Sequence, residues 1–465
     1  MRIVRRIVRA ADDRRASTCR APFALAMAWA VALTAPIAAS QAVDAPAPQS
    51  PPVKERYLIS RFPDKPSLTP TITIPIDPLG FTAPGAIYLG ARNALVSLDF
   101  IDETRLLFTF RVPGLLHREA GNNAETDERE IRAVVLTLPK GAIEAESSWT
   151  VHDRVRYLWM LANGHFLLRD RNGLSEGDAT LALKPYLDFP GSLLWLELDP
   201  SQQFLVTNSR EPVPAPQKSV TASAIGQSGA SSAPASGDAS DQDSSDAGGA
   251  PPEFVLRILQ RKSGHVMLVS RVRAAVHLPI NSLGYLENLR GKGSQWTLDM
   301  NYFAGGTRML GSVDSVCEPD DTFVSEQEIL VTGCGPQGEN KLIAMTSAGR
   351  TLWVAGAPTT EIWPQLTVAV NGSRLAWATL DATHSINSYS PMDADDIREQ
   401  SVTVFNAADG NITLVSPLSP IFDAGGNVAI SPSGRRVALI NGGGIQVFDL
   451  PDPPSLPTPS TPAHH

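Results

Sequence analysis

Residues 426–450, GNVAISPSGRRVALINGGGIQVFDL, constrain what this chain can fold into more tightly than any other stretch. Three short apolar runs alternate with two turn signals. Asn427–Ile430 leads into the turn Ser431-Pro432-Ser433-Gly434, Val437–Ile440 returns, the glycines 442–444 turn the chain again, and Ile445–Leu450 runs back out. Runs this short, punctuated by turn residues about every 8–12 positions, read as antiparallel sheet.

The unit recurs loosely along the chain. Further units begin at Val96, Tyr157, Leu193, Tyr285, Thr322 and Leu366, which makes seven with the one at Asn427. The second is read as Tyr157–Leu161, Phe166–Asp170 and Ala179–Tyr186. The fourth, opening on Tyr285–Leu289, is the least regular. One strand–turn–strand unit repeating at about 40–60 residues is the mark of a radial array. Each small sheet alone exposes two apolar faces, and stacking the sheets around an axis buries them. Near-continuous apolar strands such as LLWLEL and RLAWATL suit sheets covered on both sides. The expected fold is therefore all-β, a single β-propeller of seven antiparallel blades over residues 69–450. Two unrelated β-sandwiches would leave the repetition unexplained.

The turns Ile430-Ser431-Pro432-Ser433-Gly434-Arg435-Arg436 and Leu198-Asp199-Pro200-Ser201 resemble the "SPDG" turn of WD40-like, TolB-type propellers of bacterial envelopes. The resemblance spans most of residues 85–450, in short degenerate matches, and lacks the Gly-His and Trp-Asp signatures of WD40 repeats proper. It implies a propeller and no particular activity, because propellers host many unrelated functions.

Closing such a ring needs a strand from the far end of the chain. After Leu450 comes Pro451-Asp452-Pro453-Pro454, and proline cannot donate to a ladder, so residues 451–465 read as a Pro-rich disordered tail. The alternating Thr69–Pro75 (TPTITIP) is β-prone and has no neighbour to pair with. Its expected place is the outer edge of the seventh blade, against Ile445–Leu450.

Residues 1–40 carry seven Arg, then the apolar Ala-rich run 21–39, and end in small residues. This reads as a secretory signal peptide, with an uncleaved inner-membrane anchor as the alternative. Cys19 lies ahead of the apolar run and so cannot be a lipid-modified cleavage-site residue. Residues 41–68 read as a Pro/Ala-rich spacer and lead-in. The expected location is periplasmic or secreted, with no membrane span after cleavage. The leader sets those seven Arg against Asp12 and Asp13, so with a chain total of −9 the exported part carries −14. That balance excludes nucleic acid and anionic membrane surfaces as partners. Export also favours pairing of Cys317 and Cys334. Counted outward from a hairpin turn at 325–328, the two fall nearly opposite each other, within disulfide range.

In a four-stranded blade the second-to-third loops and the blade-to-blade links share one face. Three long acidic loops emerge there: 113–130 with five acids against Arg118 and Arg129, 211–253 with six against Lys218, and 381–400 with five against Arg398. The middle one is Ser/Ala/Gly/Asp-rich and expected to be a disordered insertion. An acidic rim on this face would suit a basic protein partner, although solubility and tolerated insertion account for it more simply.

No Gly-x-Ser-x-Gly, His-Glu-x-x-His, Cys-x-x-Cys, P-loop or dinucleotide fingerprint occurs. Oxygen ligands alternate through Asp170, Asn172, Glu176 and Asp178, as in calcium loops, but the EF-hand spacing is incomplete and Asn-Gly is an ordinary turn. His152 beside Asp153 suits acid–base chemistry, and equally suits backbone satisfaction at a blade junction. Trp159, Trp195, Trp296 and Trp377 lie within strands and read as inter-blade core, not as a ligand platform. No catalytic, cofactor-binding or metal-binding residue is nominated, and no cofactor is assigned. The functional expectation is a monomeric, exported, non-enzymatic binding or scaffold protein of the cell envelope, with a protein partner on the loop-bearing face. The alternative is an envelope enzyme using a metal or quinone in the propeller channel. Convergent carboxylates or histidines at the channel mouth would favour that alternative.

Overall fold

The computed structural model describes residues 54–57, 62–83, 96–114, 117–118, 127–152, 155–212, 253–337, 339–385 and 394–453. Residues 1–40, parts of the three acidic loops and the last twelve residues lie outside them. The described chain forms seven antiparallel sheets arranged as the blades of one propeller. Blade 1 runs Val96–Asp102, Arg105–Arg111, Asp127–Thr137 and Ala142–Val151. Blade 2 runs Leu158–Met160, Phe166–Asp170, Gly173–Gly177 and Leu183–Asp188. Blade 3 runs Ser192–Leu198, Phe204–Glu211, Glu253–Gln260 and His265–Val272. Blade 4 runs Ile280–Asn281, Gly284–Arg290, Gln295–Tyr302 and Thr307–Asp314. Blade 5 runs Asp320–Ser325, Glu328–Cys334, Asn340–Thr346 and Thr351–Ala357, and blade 6 runs Glu361–Val368, Arg374–Ala382, Ile397–Asn406 and Ile412–Pro417. Blade 7 has Val428–Ile430, Arg436–Asn441 and Gly444–Asp449 in sequence.

The fourth strand of blade 7 is Ile72–Pro75, antiparallel to Gly444–Asp449, with Ile74 opposite Ile445. The ring is thus closed by the N-terminal strand. Ile74 also packs on the third-to-fourth turn of blade 1, where Gly141 adopts φ +67° and a Cβ would meet Ile74 Cγ1 at 2.8 Å.

One further strand was not legible. Lys54–Tyr57 lies parallel to the outer strand of blade 5, opposite Trp353–Gly356. Ser67 N–H donates to Val415 O in the outer strand of blade 6 at 2.8 Å. The described part of the 41–68 lead-in therefore touches blades 5 and 6 before the chain completes blade 7.

Each seam between neighbouring blades holds its own apolar cluster, seven in all. At the seam between blades 7 and 1, Phe108 lies 5.0 Å from Phe110 and Phe81 stacks edge-on against Phe110. This is the physical consequence of apolar strands buried on both faces. Polar hooks tie the first-to-second turns of adjacent blades on the opposite side of the ring from the blade-to-blade links. Glu103 Oε1 in blade 1 accepts Ser433 N–H of blade 7 at 2.7 Å, Gln202 Oε1 in blade 3 accepts Ala162 N–H of blade 2 at 2.5 Å, and Glu326 Oε2 in blade 5 accepts Ser282 N–H of blade 4 at 3.0 Å. Gly434 ends the Ser-Pro-Ser-Gly turn at φ +72°, a conformation glycine adopts freely.

Two strand assignments differ from the sequence reading. Gly173–Gly177 is the third strand of blade 2, although GLSEG has no apolar alternation to announce it. Blade 4 opens on Ile280–Asn281 and not on Tyr285, because its first strand is only two residues long. No helix among the described residues is long and apolar enough to cross a membrane.

Candidate functional site: the charged wall of the channel

The first strands of the blades surround a channel of about 530 Å³, within the range of small-molecule sites. Its two sides differ. Blades 1 to 3 and the link into blade 4 supply Asp99, Arg156, Glu197 and His277, whereas blades 5 to 7 supply neutral residues such as Thr322, Val324, Leu366 and Ala429.

Topology puts these charges side by side. Asp99 sits mid-strand in blade 1 and Glu197 near the end of the first strand of blade 3. Arg156 lies two residues before the first strand of blade 2. His277 lies in the link between blades 3 and 4 and stands where a longer first strand of blade 4 would otherwise run. Its neighbours fix that link: Asn208 Nδ2 donates to Val276 O at 2.8 Å, and Leu278 is buried in the seam between blades 3 and 4.

His277 is clamped between two carboxylates. Its Nε2 is 2.7 Å from Glu197 Oε2 and its Nδ1 is 2.5 Å from Asp320 Oδ1, at the start of blade 5. The Trp195 ring stands edge-on to the imidazole, 4.9 Å between centroids. Burial alone would push the imidazole pKa down; the two carboxylates outweigh it and push it up to about 10. His277 is therefore an imidazolium throughout the neutral range, with both nitrogens committed. Burial raises the Glu197 carboxyl, partly offset by His277.

Asp99 accepts Ser97 Oγ–H through Oδ2 at 2.7 Å. Burial pushes its carboxyl up to about 6, with Ser97 and then Arg156 pulling the other way. Arg156 Nε donates to Leu158 O at 3.0 Å, and its guanidinium lies 5.2 Å from the Trp159 ring centroid. Arg156 is exposed to the channel; desolvation by the surrounding ring and the Arg169 charge lower its pKa, while Asp99 and Glu197 support it from beyond contact distance. The result is a ladder of alternating sign, Asp99, Arg156, Glu197, His277, Asp320, running across blades 1 to 5. Asp321, next in the strand, is 2% exposed and faces away from Asp320. Burial pushes its carboxyl up to about 7, only partly offset by Asn288.

None of the five ladder residues was singled out from the sequence. The available signal was a lone carboxylate inside an apolar first strand, Asp99 in VSLDF and Glu197 in LLWLEL. The residues that were singled out go elsewhere. His152 meets Asp170, with Nδ1 3.1 Å from Oδ1, and Glu128 at 3.5 Å, bridging blades 1 and 2, while Asp153 lies outside the described residues. Glu176 meets His165 at 3.1 Å and Asp178 caps its own turn at Thr180, so the oxygens of the 170–178 stretch do not converge. Among the described residues no three His, Cys, Asp or Glu side chains are arranged to hold a metal ion. Trp377 is buried in the seam between blades 5 and 6, as expected, and Trp296 is buried. Trp159 belongs to the seam cluster between blades 2 and 3 and Trp195 packs against the cluster between blades 3 and 4, and both in addition line the channel, where Trp195 touches His277. The disulfide is formed: Cys317 and Cys334 are joined, with Cα atoms 5.5 Å apart.

Neither a protein-family model nor a curated protein matches this sequence. Similar architectures occur among solved structures. Pyrococcus horikoshii acylaminoacyl peptidase shares 9% identity at a TM-score of 0.42, over 78% of this chain and 52% of that one. This chain thus matches about half the length of that peptidase. The β-propeller domain of the Trilobed protease from Pyrococcus furiosus shares 11% identity at a TM-score of 0.39, over 75% of this chain and 91% of the domain. A functionally unknown protein from Desulfotomaculum acetoxidans shares 13% identity at 0.37, over 68% of this chain and 89% of that one. The likeness to these β-propeller proteins is one of fold.

Proposed function

We propose that this chain is an exported, non-enzymatic binding protein of the cell envelope, which receives a ligand at its channel and docks a protein partner on the face bearing the acidic loops. The single observation that carries this reading is the Glu197–His277–Asp320 clamp at the channel wall. An imidazolium held by two carboxylates presents fixed charge and has no lone pair to take a proton or a metal. Two of its three members lie toward the loop-bearing side, since His277 belongs to a blade-to-blade link and Asp320 begins a first strand, while Glu197 reaches them from near the end of its own strand. The roots of two loops there are braced by ion pairs, Arg257 with Glu211 at 2.5 Å and Arg398 with Asp381 at 3.3 Å.

The enzyme alternative, with a metal or quinone in the channel, draws on the same convergence of carboxylates and a histidine. What weighs against it is how those groups are spent. Each channel carboxylate already has a partner or a neighbouring cation, and His277 has no free nitrogen.

The test is purification of the full exported chain from native envelope. The binding reading expects retention of a partner from envelope extract that His277→Ala with Asp320→Ala no longer retains, and no stoichiometric metal or redox cofactor. A cofactor at one per chain, lost in the same double variant, would replace the reading with the enzyme.

A further inference from the structure

The ladder has a gap at Arg156. Asp320 and Glu197 each contact His277, and Asp99 is held by Ser97. Arg156 bonds only through Nε, to Leu158 O. Among the described residues no carboxylate lies within 4.0 Å of its guanidinium, which nonetheless lines the channel with Asp99 on one side and Glu197 on the other. Its two terminal NH2 groups have no acceptor among the described residues. Asp99 spends only Oδ2 on Ser97, and Glu197 spends Oε2 on His277.

Resting on the reading of the channel as a binding site, we propose that this gap receives a small zwitterion, an amino acid or short peptide, whose carboxylate takes Arg156 and whose ammonium takes Asp99 and Glu197. A guanidinium fork matches a carboxylate through two parallel hydrogen bonds. The deep wall alternates in sign, so an anion alone would be brought against two carboxylates and a cation alone against Arg156. A ligand carrying both charges meets each with its complement and adds no net charge. The neutral opposite side, with Val324 and Leu366, suits an uncharged ligand body.

The experiment is calorimetric titration of the full exported chain with triglycine, leucine, N-acetyl-triglycine (anion only) and triglycine amide (cation only). Saturable binding of triglycine or leucine is expected, with both single-charge analogues at least tenfold weaker than triglycine or leucine, whichever binds tighter. Arg156→Gln should weaken the zwitterion at least tenfold and leave the amide unchanged. Asp99→Asn should weaken the zwitterion and leave the N-acetyl peptide unchanged. Circular dichroism of each variant establishes that it is folded. Analogues that bind as well as the zwitterion, or no heat from any of the four at 10-millimolar order with folded protein, would overturn the proposal. Should envelope capture still depend on His277 and Asp320 in that case, the binding reading survives and the zwitterion does not.

Discussion

Ile74 lies opposite Ile445 in the ladder that completes blade 7, joining strands almost the whole chain apart. Ile74 is 5% exposed and belongs to the apolar cluster at the seam between blades 7 and 1. One side chain thus serves the outer strand and the ring closure together. Ile74→Ala is expected to cost about 2–5 kcal/mol, as for buried aliphatic truncation. Removing residues 41–76 should broaden the melt and lower Tm by several degrees or more. Scanning calorimetry that shows the truncated chain melting like the full one would refute strand closure as a stabilising device.

The other terminus behaves less simply than its proline content suggests. Pro451 forms no strand, yet its carbonyl accepts Arg374 Nη2–H. Arg374 is fully buried, and its Nε and Nη1 have no partner among the described residues. A chain ending at Leu450 would strand that guanidinium, at about 1.5–3 kcal/mol for a charged hydrogen bond. A chain ending at Pro453 should melt like the full length. Equal melting of the two truncations would show that water replaces the Pro451 carbonyl without loss.

The seven blades were legible because their information is local. Turn residues such as Ser431-Pro432-Ser433-Gly434 and Asn371-Gly372 punctuate apolar runs, and the alternation in TPTITIP marks a strand wherever it pairs. Lys54–Tyr57 was not legible, since KERY has neither alternation nor apolar content and its partner strand lies about three hundred residues away. The channel ladder was hidden for a related reason. Asp99 and Glu197 are single carboxylates in separate apolar strands, and only the ring brings them beside Arg156. His277 reaches the channel because blade 4 shortens its first strand to two residues, a deletion that no residue pattern displays.

The Cys317–Cys334 bond fastens the segment that leads into Asp320. Around it, Ser315 Oγ–H donates to Cys317 O at 2.8 Å and accepts Cys334 N–H at 2.9 Å. Closing a loop of this length contributes about 3 kcal/mol through the unfolded chain. Cys317→Ser with Cys334→Ser should lower stability by about that amount in denaturant titration. Loosening Asp320 should in addition lower the His277 pKa, read from its imidazole proton resonances. An unchanged His277 titration in the double variant would confine the disulfide to a stabilising role.

The clamp on His277 sets how stability depends on pH. Its folded pKa of about 10 lies above the ordinary 6.5, so the charged form is favoured by folding. Such a group contributes stability that is fully present below 6.5 and is lost as pH rises toward and through 10. Asp99 and Asp321 are also raised, to about 6 and about 7, from an ordinary 3.8. They contribute most below 3.8 and lose that contribution as pH rises through those values, so by about pH 8 they are spent while the loss from His277 continues toward 10. The window from pH 8 to 10.5 therefore isolates His277 from both carboxyls. His277→Gln should be less stable than the native chain at pH 7, by about 2 kcal/mol for a partly exposed clamp. The gap between the two should close as pH rises, because the native chain loses what the variant never had. Thermal melts at intervals across that window measure it directly, with the lysines and tyrosines common to both proteins cancelling in the difference. A gap that stays constant from pH 7 to 10.5 would mean that His277 is neutral in the folded protein and that Glu197 and Asp320 do not hold its proton.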